Sequence, residues 1–168
     1  LYWNPQLTQY KYNNVSLAYS TILHEIGHCL GIGTLWLANN LLSYGPWYTV
    51  SDWWNSDFDP ALYVGEFAFA KYKQLMLEKN NSIDPDSILG IPVENDGGPG
   101  THGGHIEEHT SERVFSGQVH HGLDSELMTG YSEAGPIVEE LSVISIAMLK
   151  DLGFSVNYSF ADTFHINN

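Results

Sequence analysis

An α+β fold, mainly helical, is predicted by three features of the chain. Three stretches carry apolar residues at helical spacing, strand-like runs are few and short, and residues 92–105 hold a glycine-rich stretch that interrupts regular structure. At 168 residues, with 43% hydrophobic and 13% aromatic residues, the chain is long enough to bury one core. No repeat or linker divides it, so residues 1–168 are read as a single domain.

Residues 1–14 (LYWNPQLTQYKYNN) lack clean periodicity and are expected to form a loop with at most one short strand. From Val15, the run VSLAYSTILHEIGHCLGIG places Leu17, Tyr19, Ile22, Leu23, Ile26 and Leu30 at helical spacing, with Gly31 and Gly33 as a stop. Residues 40–60, rich in Trp, Tyr, Ser, Asp and Pro, suggest an aromatic-lined loop. A second helix is expected over Gly65 to Lys79, followed by turn chemistry in NNSIDPDS and a short strand in ILGIPVE. A stretch as glycine-rich as PVENDGGPGTHGGH is either a flexible loop or a backbone path that must pass close to something. SELMTGY reads as a turn. EELSVISIAMLKDLG reads as a third helix with Ser142 as its cap and Gly153 just past its end.

Twenty acidic residues against six basic ones give a net charge of -14, which repels phosphate backbones and anionic membrane surfaces. Nucleic acid is therefore not an expected partner, and no apolar run reaches the roughly 20 residues of a membrane span. A single cysteine, Cys29, excludes an internal disulfide. Because the chain begins with Leu1, it is expected to be a processed product or a fragment whose targeting signal lies upstream.

The chemistry concentrates in HEIGHCLG, residues 24–31. On a helix, positions i and i+4 share one face, so His24 and His28 can aim imidazole nitrogens at one point, a geometry that suits zinc at about 2.0 to 2.1 Å. Glu25 projects beside that point without binding it. A carboxylate there can take a proton from a water acidified by the metal and deliver it to a leaving amine, which is the chemistry of a hydrolase. Burying two histidines and a glutamate on an apolar helix requires a partner, and a metal ion provides one. A third ligand is missing from the immediate sequence, and His102, His105, His109, His120, His121 and His165 are all available for it. Distance along the chain is no obstacle, because loop closure costs only about 0.6 kcal/mol per doubling of length.

HEIGHCLG resembles the first part of the metzincin zinc-peptidase pattern H-E-x-x-H-x-x-G-x-x-H, with Thr34 where the compact pattern has its last histidine. The chain is most similar to the leishmanolysin branch, where a long insertion precedes the third histidine. GIGTLW at 31–36, GGHIEE at 103–108, ELMTGY at 126–131 and DLGFSVNYSFAD at 151–162 follow in that branch's order over nearly the whole chain. Departures are Ile106 in place of the usual tryptophan and a longer, histidine-bearing stretch before Glu126. The resemblance implies a metzincin-like catalytic domain whose mainly helical C-terminal part holds the active-site helix and Met-turn, its N-terminal sheet being reduced or upstream. It implies His105 as the third zinc ligand, with His109, His120 and His121 as lesser candidates, and Met128 as the methionine beneath the site. Tyr131 is assigned to packing, and Glu108 to accepting a hydrogen bond from a ligand imidazole or to a solvated surface.

The expected function is thus zinc-dependent peptide hydrolysis, with Zn2+ held by His24, His28 and His105 and Glu25 as general base and acid. A protein or peptide is the expected substrate, other segments of a larger parent chain are possible partners, and the setting is extracellular, cell-surface or virion-associated. The alternative is an inactive, zinc-stabilised structural or binding module; a carbohydrate-binding role for Trp47, Trp53 and Trp54 rests on composition alone. Cys29 is placed about 100° around the helix from His28, toward the core, as a small buried hydrophobe. Asp52, Asp57 and Asp59 form an acidic cluster in the sequence, to which no calcium ion is assigned.

Overall fold

The computed structural model describes residues 11–12, 15–43, 61–95, 97–98, 100–108, 113–115, 118–132 and 139–166. Trp47, Trp53, Trp54, Asp52, Asp57, Asp59 and His109 lie outside them. So do residues 1–10 and most of the expected aromatic loop.

The described chain runs β1 (Lys11–Tyr12), β2 (Val15–Ser16), α1 (Leu17–Leu30), β3 (Leu42–Ser43), β4 (Leu62–Tyr63), α2 (Glu66–Lys79), β5 (Ile91–Pro92), β6 (Arg113–Phe115), β7 (Gln118–His120) and α3 (Val143–Asp151). All three expected helices are present, as are the turn after α2, with Pro85–Ser87 as a short 3-10 turn, and the strand in ILGIPVE. The first helix begins at Leu17 because Val15–Ser16 pair instead with Lys11–Tyr12 in a small antiparallel ladder. β6 and β7 form an antiparallel pair within the histidine-bearing stretch before Glu126, for which no element was expected. Among the described residues, no helix is long and apolar enough to cross a membrane.

α2 and α3 pack on one another and form the floor of the core. α2 buries Ala68, Tyr72, Leu75 and Met76 along one face, the spacing of an amphipathic helix. Its cap residue, Gly65, has no side chain to offer. Asp151 at the end of α3 takes over, accepting hydrogen bonds from Phe67 N (2.8 Å), Ala68 N (3.0 Å) and the Tyr63 hydroxyl (2.9 Å). The bare α-carbon of Gly65 makes room for it, since a β-carbon there would lie 2.6 Å from the Asp151 carboxylate. α3 is buried from Ile144 through Met148 and capped by the Ser142 hydroxyl, which accepts from Ile144 N at 3.0 Å. Gly153 follows at φ 96°, as expected of a helix terminator.

A three-stranded antiparallel sheet in the order β3–β4–β5 lies beside these helices, in the register Leu42↔Tyr63 and Tyr63↔Ile91. The ladder continues past β5 as single bridges, Val93 to Ile106 and Ile106 to Thr129. This succession carries His105 and the 126–131 turn to one place.

α1 lies differently from its sequence pattern. Its buried side holds Ser20 and Gly27, with Leu23 packed against the core, while Tyr19 (59% exposed), Ile22 (58%), Ile26 (46%) and Leu30 (37%) face outward. The helix therefore turns its small and histidine-bearing side to the body of the protein. Cys29 is exposed rather than buried, because a step of 100° from the inward His28 leads away from the core.

Candidate metal centre

The end of α1 shapes the first part of the site. Gly31, at φ 113°, stops the helix, its amide donates to the His28 carbonyl (3.1 Å), and the next amide, Ile32 N, donates to Gly27 O (3.0 Å). The chain thereby doubles back, and the Ile32 carbonyl accepts the His28 Nδ1 proton at 2.9 Å. Thr34 has a structural task here: its hydroxyl donates to the His28 carbonyl at 2.9 Å, a second hydrogen bond on the acceptor that Gly31 N already meets at the helix end.

His105 arrives at the end of the glycine-rich stretch. Gly103 N donates to Glu94 O (2.8 Å) and Glu94 N to His105 O (3.0 Å), tying the stretch into a loop whose Thr101 carbonyl accepts His105 Nδ1–H at 2.8 Å. Of the two readings of this stretch, close passage is the one observed. A β-carbon on Gly33 would lie 1.9 Å from the Gly104 carbonyl oxygen. The backbone after α1 and the backbone before His105 touch where neither carries a side chain.

The 126–131 turn completes the frame. Leu127 O accepts from His24 Nδ1 at 2.7 Å, and Met128 O accepts from Ile106 N at 3.1 Å, so one turn holds both His24 and the residue after His105. Met128 is buried, and its thioether lies under α1 where Gly27 has no side chain; a β-carbon there would sit 2.6 Å from the sulfur.

The three Nε2 atoms consequently converge: His24 to His28 2.9 Å, His28 to His105 3.0 Å, His24 to His105 3.2 Å. Each Nδ1 faces a carbonyl oxygen and must carry the proton, which leaves each Nε2 with a bare lone pair. Three lone pairs pointed at one another repel unless a cation lies between them. Tetrahedral zinc at about 2.0 Å from each nitrogen separates its ligands by roughly 3.3 Å, close to the observed spacing. His24, His28 and His105 therefore fit a metal ion, and among the described residues they are the one histidine, cysteine or carboxylate group that does.

Burial favours the neutral, ligating form. Desolvation lowers His105 to about 4 against an ordinary 6.5, opposed by its hydrogen bond to Thr101 and reinforced by the neighbouring His28 and His24. Desolvation lowers His28 as well, against the pull of the Ile32 carbonyl.

Glu25 is exposed and lines an open cleft with His24, Thr21, Thr129, Gly130, Tyr131, Ser132 and Glu139. Tyr131, assigned to packing, is 39% exposed on that cleft. The acceptors that fix the imidazoles are main-chain carbonyls, so the role considered for Glu108 is filled by backbone. His120 is fully buried elsewhere, its Nε2 accepting from Leu89 N at 3.0 Å. His121 lies beside Lys79, 3.4 Å from its ammonium.

One residue of this frame escapes sequence reasoning. Glu126 is fully buried; its Oε2 accepts from Met128 N at 2.6 Å, and its Oε1 from the Ser142 hydroxyl at 2.7 Å and Ser142 N at 3.2 Å. Burial pushes its carboxyl upward, while the nearby Ser145 hydroxyl and the hydrogen bonds from Met128 and Ser142 pull it down. Its only signal was its place in ELMTGY, since an acidic residue in a turn otherwise reads as solvated. Comparison of the chain with protein-family models, with curated proteins and with solved structures found no match to any of them.

Proposed function

We propose that the chain is a zinc-dependent endopeptidase. The observation that carries this reading is the convergence of three lone-pair nitrogens, from His24, His28 and His105, with His24 also lining an open cleft that bears Glu25. A purely structural zinc site is normally closed by a fourth protein ligand; among the described residues this group has three, with Glu25 on the cleft that His24 lines, and that is the arrangement of a hydrolytic site. The sequence resemblance to leishmanolysin-like metzincins points the same way.

In this mechanism the three histidines would hold zinc, which would supply Lewis acidity toward water and toward the scissile carbonyl. A peptide lies along the cleft lined by Thr129, Gly130 and Tyr131. Glu25 accepts a proton from the attacking water as its oxygen bonds to the carbonyl carbon. It then gives that proton to the amine nitrogen as the C–N bond breaks. The backbone carbonyls behind the imidazoles keep all three in the ligating tautomer throughout.

The test is metal analysis joined to a peptidase assay. Wild type is expected to bind about one zinc per chain and to cleave an unstructured protein, with Glu25→Gln keeping the zinc and losing cleavage by at least about a hundredfold. Full activity in Glu25→Gln defeats the mechanism. Zinc binding by a wild type without peptidase activity points to the metal-stabilised binding module.

A further inference from the structure

Glu126 and His24 sit on opposite ends of a single peptide group. The N–H of Met128 and the C=O of Leu127 belong to the same amide plane; Glu126 Oε2 accepts from the first at 2.6 Å, and His24 Nδ1 donates to the second at 2.7 Å. The amide is rigid and conjugated, so its two hydrogen bonds are coupled in direction and in strength.

We infer that Glu126 is a positioning residue for the metal centre, acting on His24 through the Leu127–Met128 peptide as an indirect carboxylate partner of that ligand. The inference rests on the metal-centre reading above. Ligand histidines are commonly oriented by a carboxylate on the far ring nitrogen, which also raises the basicity of the ligating one. Here the carboxylate stands one amide away. The groups hydrogen-bonded to Glu126, namely Met128 N–H, Ser142 N–H and the Ser142 hydroxyl, all donate to it and so hold it as a carboxylate against the upward push of burial; its charge draws the Met128 proton and pushes electron density toward the Leu127 oxygen. The oxygen becomes a stronger acceptor for His24 Nδ1–H, and His24 Nε2 a stronger donor to metal.

The contacts around Glu126 set the orientation as well as the polarity. Both carboxylate oxygens act as acceptors, and the second is held by Ser142, whose hydroxyl also caps α3 at Ile144 N. The peptide that faces His24 is thus referenced to α3, the helix buried from Ile144 through Met148. Among the described residues no carboxylate is found behind the partners of His28 and His105; the N–H of the Thr101–His102 peptide donates to a carbonyl, Gly98 O, at 3.0 Å. Their carbonyl partners, Ile32 and Thr101, lie four residues away in local turns. His24 Nδ1 has the shortest of the three hydrogen bonds and the one partner distant in sequence.

Glu126→Gln removes the charge while keeping nearly the same shape. It is expected to weaken zinc binding by about 10- to 100-fold, the range for loss of a ligand's outer partner. The imidazole Nδ1–H resonance of His24 is expected to move upfield, with those of His28 and His105 in place. Ser142→Ala grades the effect: it removes the α3 cap and one contact to Glu126 while leaving the charge and the Met128 N–H contact in place. It should lower thermal stability, with zinc affinity and the His24 resonance moving clearly less than in Glu126→Gln. A Glu126→Gln protein that is less stable yet binds zinc as wild type does, with His24 unmoved, overturns the inference and leaves Glu126 a packing residue. If Glu126→Gln does not fold, the wild type decides: the His24 Nδ1–H and Met128 N–H resonances should lie downfield of their counterparts at His28 and His105 and in neighbouring amides, and ordinary positions refute the relay. A wild type that binds no zinc defeats the metal reading instead, and the His24 resonance of the metal-free protein still reports on the relay.

Discussion

Gly33→Ala is a small substitution with a large expected effect at a distance. At φ 75°, Gly33 occupies a conformation that costs an alanine about 1 to 2 kcal/mol. The new β-carbon would lie 1.9 Å from the Gly104 carbonyl oxygen, where contacts under 3.0 Å essentially never occur, so one backbone must retreat by about 1 Å. Overpacking of that kind adds about 1 to 3 kcal/mol, giving a total of roughly 2 to 5 kcal/mol. For a domain of this size, that is about 5 to 15 °C in Tm. The next residue after Gly104 is His105, and metal–ligand distances tolerate only about 0.2 Å of error. Zinc affinity should therefore fall by well over tenfold. Gly98→Ala separates strain from collision, because Gly98 is also left-handed (φ 77°) but has no atom within 4 Å of the added carbon. Thermal melts and competitive zinc titrations of the two variants give the answer. Equal zinc affinity in Gly33→Ala and Gly98→Ala would refute the claim that close passage of these two backbones seats His105.

Three further outcomes are expected. His105→Ala should abolish zinc binding in titration calorimetry, whereas His120→Ala should keep it and lose about 1 to 3 kcal/mol of stability, because Leu89 N–H is left without its buried acceptor. Gly27→Ala, which in an open helix would stabilise by up to about 1 kcal/mol, should instead lower the urea midpoint, since its β-carbon meets the Met128 thioether. Metal-free protein should be insensitive to pH above about 6.5 at this site. As pH falls from there toward about 4, the unfolded chain takes up a proton that His105 refuses in the fold, so stability declines. His105→Gln should flatten that part of the urea-midpoint profile, and an unchanged slope would count against the assignment.

Helices were legible wherever period and punctuation agreed. Ser142 and Gly153 marked the ends of α3 by cap chemistry that is local to those residues. β6 and β7, with three residues each, carry too little alternation to be read. For α1 the period identified which apolar residues share a face, but not what covers them. Tyr19, Ile22, Ile26 and Leu30 do share a face, and it is the outer one; the same misjudged orientation placed Cys29 inside. At the metal centre His24 and His28 follow from helix geometry, and His105 from resemblance, because six histidines were equally available to spacing alone. The groups that aim them, the carbonyls of Ile32, Thr101 and Leu127, could not be read, since every residue carries a carbonyl and only the fold selects three.

With a single cysteine, these 168 residues cannot form a disulfide among themselves, yet His28 and His105 stand 77 positions apart with their nitrogens 3.0 Å from one another. A metal ion shared between them is a tether across that loop. A permanent link closing a loop of such length removes about 4 to 5 kcal/mol of chain entropy from the unfolded state. The same three imidazoles would then serve as the chain's reversible staple, fastened by metal and released by chelator or acid. Integrity of the fold would track metal supply in the way that small secreted domains track oxidation.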